Sequence, residues 1–257
     1  MIEVRLAVLA MRVRFELVLQ GTDRAALQAA GEEAMEEIRR VESLLHPFDP
    51  SSELFRINAE AGRKPVRISG AMRSFLVCAS ALARATDGAF DLTATSGGRG
   101  FSLDEETDTV MLIKENTRLD PGALGKGWAL ERAAELLREA GVTRTLLHGG
   151  TSSVVAIGSP EGEAGWKVAV CDPADSTRQI ELFLLRDESL SVSSSVERPH
   201  VVDPRTGKPV EEARLAVVRT ASATEAEALS TALLVLGREA IPHLKRNFPN
   251  AALSLYS

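Results

Sequence analysis

The sequence predicts an α+β protein with substantial antiparallel sheet. Two kinds of pattern point there: short alternating apolar runs typical of strands, and longer segments with apolar residues at three- and four-residue steps typical of helices. A third observation adds the antiparallel character. The runs at 166–171, 180–185 and 190–192 follow one another with only turns between, as in a meander. No strand leads through GxGxxG into a helix, which disfavours a generic dehydrogenase.

In chain order, residues 4–19 read as strands with a tight turn around 10–12. Val13, Phe15 and Leu17 there alternate with Arg14 and Glu16. Thr22 and Asp23 offer an N-cap, and Ala26, Leu27, Ala30, Ala34, Ile38, Val41 and Leu45 form a helical stripe ending before Pro47. HPFDPSSELFRINAEAG (46–62) is a polar loop running into a short helical turn, a setting in which binding residues and plain connectors are both common. A helix is expected over 71–86, with Asp87–Gly88 as its stop. GAFDLTATSGGRG (88–100) is a loop of small residues, and a short strand lies near 110–113.

The organising stretch is 119–157, LDPGALGKGWALERAAELLREAGVTRTLLHGGTSSVVAI. It reads as a glycine-rich loop, an amphipathic helix closed by Gly141, and two strands joined by a glycine turn. Gly122, Gly125 and Gly127 lie just before and within the first turn, where glycine admits close backbone approach and a helix start favours phosphate. Alone the pattern is also that of a plain turn that starts a helix, because it is neither a P-loop nor a dinucleotide fingerprint. Beyond it, VVDPRTGKPV (201–210) is a turn-rich loop and 215–220 a strand. Helices at 225–236 and 240–245 and a strand at 252–256 complete the chain.

Composition narrows the function classes. With 44% hydrophobic and 26% charged residues, 257 residues bury a large core in one big domain or two small lobes. A net charge of −6 with scattered basic residues argues against nucleic acid. Cys78 and Cys171 lie far apart in apolar segments, so two buried thiols are expected rather than a disulfide or zinc site. No segment is apolar enough for a membrane span, and the opening residues read as strands rather than a leader or lipid-attachment site, so a cytoplasmic protein is expected.

Five stretches in fixed order carry a resemblance: SSELFRINAEAG (51–62), TDGAFDLTATS (86–96), LDPGALGKGWALERAAELLREAGV (119–142), HVVDPRTGKPV (200–210) and TEAEALSTALLVLG (224–237). Together they resemble the ApbE family, the FAD:protein FMN transferases. The resemblance implies a T-fold-like, two-lobed domain with mixed or antiparallel sheets filling residues 1–257 and FAD between its lobes. It also implies a divalent cation, usually Mg²⁺, and transfer of FMN to a threonine or serine of an acceptor flavoprotein, with AMP released.

Residue by residue, the resemblance implies metal ligation by Glu227, Thr231 and the Gly125 carbonyl; i and i+4 positions share a helix face. His200 and Asp203 match a functional histidine and the Asp of the family's H-[IV]-x-D-P, as proton acceptor or, in the alternative, as plain loop packing for His200 and loop orientation for Asp203. Met11, Asn58, Asp91, Asp120, Gly122, Lys126, Gly149 and Gly150 match positions around the flavin and its phosphates; Lys126 reads equally as a solvated lysine and Asp120 as a turn residue. There are departures. A-M-G-T becomes Ala10–Met11–Arg12–Val13, N-x-G-G-[DN] becomes His148–Gly149–Gly150–Thr151, and a metal-ligand Asp becomes Glu227. They leave open a ligand-free or merely flavin-binding member, and an enzyme that hydrolyses FAD to FMN and AMP.

Overall fold

The computed structural model describes residues 1–97, 100–196, 201–210 and 214–256. The hairpin of β1 (Ile2–Ala10) and β2 (Val13–Gly21) leads to α1 (Arg24–Leu45) and α2 (Glu53–Glu60). Then come β3 (Val66–Arg67), α3 (Gly70–Ala85), β4 (Phe101–Asp104), β5 (Thr109–Leu112) and α4 (Gly125–Glu139). The strands β6 (Thr145–Gly149), β7 (Ser153–Ile157), β8 (Trp166–Cys171), β9 (Gln179–Leu185), β10 (Ser189–Ser194) and β11 (Leu215–Thr220) follow. Helices α5 (Ala223–Leu236) and α6 (Ile241–Asn247) precede β12 (Ala252–Tyr256).

Seven strands form the main sheet in the order β1-β2-β6-β7-β10-β11-β12, and every pairing in it is antiparallel. The two small sheets, β3-β5-β4 and β8-β9, are antiparallel as well. Of the mixed or antiparallel alternatives, the described strands take the second throughout.

Helices α1, α4 and α5 lie side by side on one face of the main sheet. Gly31 sets how closely α1 approaches: a Cβ there would sit 2.5 Å from Leu6 Cδ1 and 2.8 Å from Leu19 Cδ1. The β8–β9 hairpin covers the other face, where Trp166, Phe183 and Leu185 pack on Val154, Ala156, Leu190 and Val217. Strand β7 is therefore buried at all five positions, which explains why SVVAI does not alternate. By contrast β1 keeps Glu3, Arg5, Ala7 and Leu9 exposed on its uncovered face.

Helix ends follow local chemistry. Asp23 accepts from the N–H groups of Ala25 and Ala26 at 2.9 and 3.1 Å, and Ser52, Ser69 and Ser222 cap α2, α3 and α5. At the end of α4, Gly141 takes φ 76° and Val142 N–H donates to the Leu137 carbonyl, a Schellman closure. Two expectations need correction. Cys171 is exposed, because the alternation of β8 turns it outward, and Cys78 is only partly buried. Strands β3 and β4 escape the sequence reading because β3 has only two residues and β4 follows directly on the small-residue loop of 88–100.

Candidate functional site

The register of the main sheet gathers the glycine turns at one end. Val8 pairs with Phe15, Phe15 with Gly149, Gly149 with Ser153, and Ser153 with Ser191. The β1–β2 turn, the β6–β7 turn and the exit of β10 thus lie at the same end of the sheet. In the first turn Met11 and Arg12 adopt φ 49° and 63°, the left-handed pair of a two-residue hairpin, at a cost that glycine would avoid. Met11 N–H donates to the Glu42 carboxylate at 2.5 Å, tying the turn to α1. In the second turn Gly149 lies against Phe15, where a Cβ would come within 2.7 Å of the ring. Gly150 takes φ 64° and donates to the Arg14 carbonyl at 2.9 Å.

The start of α4 reaches this end. A Cβ on Gly125 would stand 3.7 Å from Leu45 Cδ1 and 4.0 Å from Met11 Sδ. The loop before it is pinned by buried Asn58, whose amide donates to the Leu119 carbonyl at 3.0 Å and accepts from its N–H at 2.7 Å. Asp120 accepts from Gly122 N–H at 2.9 Å, while its own N–H donates to the Leu92 carbonyl at 2.7 Å. Asp91 accepts from the N–H and hydroxyl of Thr93, each at 2.7 Å, and so shapes the adjoining loop. Asn58→Ala removes both bonds to Leu119 and orphans its buried N–H. The expected loss is about 2–4 kcal/mol of stability, read by urea titration.

At the centre stands Glu227 on α5, only 3% exposed. One carboxylate oxygen accepts from the Lys126 ammonium and the other from Gly127 N–H. Lys126 is itself buried at 8% exposure, so it is not a solvated lysine. The helices meet closely enough that a Cβ on Gly127 would lie 2.5 Å from the Ala223 carbonyl oxygen. Glu131 of α4 closes the contact by accepting from the Ser222 hydroxyl at 2.7 Å and Ala223 N–H at 2.6 Å. Thr231 is half-buried one turn beyond Glu227. Beneath, Ser230 bonds Ser191 and Ser193 of β10 at 3.1 and 2.9 Å.

This arrangement suits a cation. A carboxylate buried this deeply demands positive charge, and the Lys126 ammonium stands in for it. Among the described residues no three His, Cys, Asp or Glu side chains cluster as metal ligands. A single buried carboxylate such as Glu227 would serve magnesium, which keeps several waters, better than metals that need an all-protein cage.

Asp203 is placed differently. It lies in the turn of residues 201–210, where Arg205 grips both of its oxygens at 2.9 and 2.7 Å and donates its N–H at 2.9 Å. The Arg205 guanidinium holds the Asp203 carboxyl below the usual carboxylate range. A depressed pKa contributes stability that is complete above the unfolded value, about 4, and is lost as pH falls through the folded one. Asp203→Asn is therefore expected to lower the neutral-pH melting temperature by a small amount and to converge with the wild type as pH falls through the folded pKa, which flattens part of the acid-side decline. His200 lies outside the described residues.

One exposed aromatic was missed by sequence reasoning. Phe48, 78% exposed, stands in the loop just after Leu45, between Pro47 and Pro50. An aromatic between two prolines in a polar loop was the available signal.

Fold and site together define an α+β protein with a glycine-rich helix start, paired to a buried Lys–Glu couple, at one end of an antiparallel sheet. The chain belongs to the ApbE family, whose model matches residues 9–101 and 94–254. It is similar to an FAD:protein FMN transferase of Klebsiella pneumoniae (strain 342), at 27% identity over 82% of this chain and 77% of the relative. The FAD:protein FMN transferase of Escherichia coli (strain K12) is 24% identical over 86% of this chain and 75% of its own length. In three dimensions the chain resembles the ApbE protein from Thermotoga maritima. The TM-score is 0.86 at 22% identity, covering 98% of this chain and 93% of that one. Flavin transferase ApbE from Vibrio cholerae gives a TM-score of 0.80 at 20% identity, covering 98% and 92%. Among the described residues no helix is long and apolar enough to cross a membrane.

Proposed function

We propose that this protein is a transferase that moves FMN from FAD to a threonine or serine hydroxyl of an acceptor flavoprotein, with Mg²⁺ bound at Glu227, Thr231 and the Gly125 carbonyl. The observation that carries the reading is the buried Lys126–Glu227 pair at the glycine-rich start of α4, in a chain similar to FAD:protein FMN transferases. The acceptor oxygen attacks the FMN-side phosphorus, the P–O bond to the AMP phosphate breaks, and AMP leaves with the bridging oxygen. Magnesium, when bound, offsets the charge of the diphosphate.

The chain's own residues position the reactants. Lys126 receives phosphate, the backbone at Gly122, Gly149 and Gly150 borders it, and Met11 borders the flavin. Asn58, Asp91 and Asp120 hold the loops that form the pocket wall, a role supported by their backbone bonds. Phe48 offers its exposed ring as a stacking surface for a flat aromatic system. His200 accepts the proton from the attacking hydroxyl, on the strength of its place in the HVVDP motif. Asp203 orients the loop, since its oxygens are engaged by Arg205 and its pKa is depressed.

Calorimetric titration with FAD, with and without Mg²⁺, tests the pocket. Saturable binding that tightens with Mg²⁺ is expected, and Phe48→Ala should weaken it about tenfold, as loss of one stacking contact does. No binding under either condition would favour a member of the family that has lost its ligand.

A further inference from the structure

Lys126 and Glu227 are both buried, with side chains 10% and 4% exposed, and each supplies the other's counter-charge. The two carboxylate oxygens are held differently. One is fixed by the N–H of Gly127, part of the rigid first turn of α4 and too close to α5 to shift. The other is held by the ammonium of a flexible four-carbon side chain whose backbone neighbours, Gly125 and Gly127, carry no side chains. Glu227 therefore has one permanent partner and one that can leave.

We propose that Lys126 is an exchangeable counter-ion. It neutralises Glu227 in the empty protein and passes to the diphosphate of the incoming nucleotide when a divalent cation replaces it on the carboxylate. The nucleotide half of this exchange rests on the flavin-transfer reading; the cation half does not.

The charge count gives the consequence. A divalent cation alone either crowds a second positive charge onto one carboxylate or drives Lys126 off it, leaving a buried ammonium without a partner. A diphosphate alone draws Lys126 away and leaves Glu227 facing another anion. With both present, Glu227 would hold the cation and Lys126 would pair with phosphate oxygen, so that no buried charge is stranded. Cation and nucleotide must then each raise the other's affinity, by the same factor, and Lys126 carries part of that coupling.

The experiment is calorimetric titration of Mg²⁺ into the wild-type protein and Lys126→Met, each with and without saturating FAD, with thermal melts alongside. In the wild type, Mg²⁺ alone should bind at least tenfold more weakly than with FAD. In Lys126→Met, Mg²⁺ alone should bind at least tenfold tighter than in the wild type, should raise the melting temperature more, and the gain from FAD should shrink. If Lys126→Met folds only when Mg²⁺ is added, that rescue also supports the exchange. Failure to fold at any Mg²⁺ concentration, set against a folded Lys126→Met/Glu227→Gln double variant, overturns it. Equal Mg²⁺ affinities in wild type and Lys126→Met overturn it too. A wild type that never binds FAD refutes the flavin reading. FAD binding with Mg²⁺ affinity indifferent to Lys126 refutes only the exchange.

Discussion

Gly127→Ala is expected to destabilise this protein strongly and to damage the α4–α5 contact directly. The new Cβ would stand 2.5 Å from the Ala223 carbonyl oxygen and 3.0 Å from both Glu227 Cβ and Oε2. The nearest obstacle is backbone at the start of α5, which cannot rotate away as a side chain would. Relief requires the two helices to separate, and that pulls Glu131 from the Ser222 and Ala223 groups it caps. Overpacking of this kind costs about 3 kcal/mol or more. For a chain of this size that is a fall of about 6–12 °C in melting temperature, measurable by calorimetry. Transfer activity should fall further than stability, because the same displacement takes the Gly127 N–H from Glu227.

Glu227→Gln is the second large effect. The amide keeps the volume but removes the charge that Lys126 needs, leaving a buried ammonium beside a neutral group. Breaking a buried pair from one side costs about 3–5 kcal/mol, whereas neutralising both partners restores most of it. Glu227→Gln should therefore melt well below the wild type and lose Mg²⁺-dependent activity. Lys126→Met/Glu227→Gln should recover most of the stability and none of the activity. Stability that fails to return in the double variant would assign the loss to packing rather than to charge.

The contrast between these positions shows what was legible in the chain. Elements with a sustained period were readable: the stripe from Ala26 to Leu45 gives α1, and Gly141 marks the end of α4 because only a left-handed residue closes that helix. Strand β7 was recognisable as a strand, but its burial on both faces depends on the β8–β9 hairpin, whose docking no local pattern records. The site divides in the same way. The motif order placed Asn58, Asp91, Asp120 and Glu227 near one another, yet the partner of each is set by the fold. Lys126 and Glu227 are 101 residues apart, and nothing in GALGKGWAL signals that its lysine turns inward. Asn58 meets Leu119 across 61 residues. Arg12 reads as bulk where glycine was wanted, and in the fold it takes the left-handed conformation that glycine would have supplied.

Transfer of FMN from FAD to an acceptor hydroxyl is read by intact-mass spectrometry. An acceptor flavoprotein domain is incubated with this protein, FAD and Mg²⁺, and adenine nucleotide release is followed in the same reaction. The acceptor should gain the mass of FMN less one water, with one AMP released per flavin attached, and neither change should occur with Glu227→Gln. AMP and free FMN with no mass gain on any acceptor would contradict it, and would make the protein an FAD hydrolase.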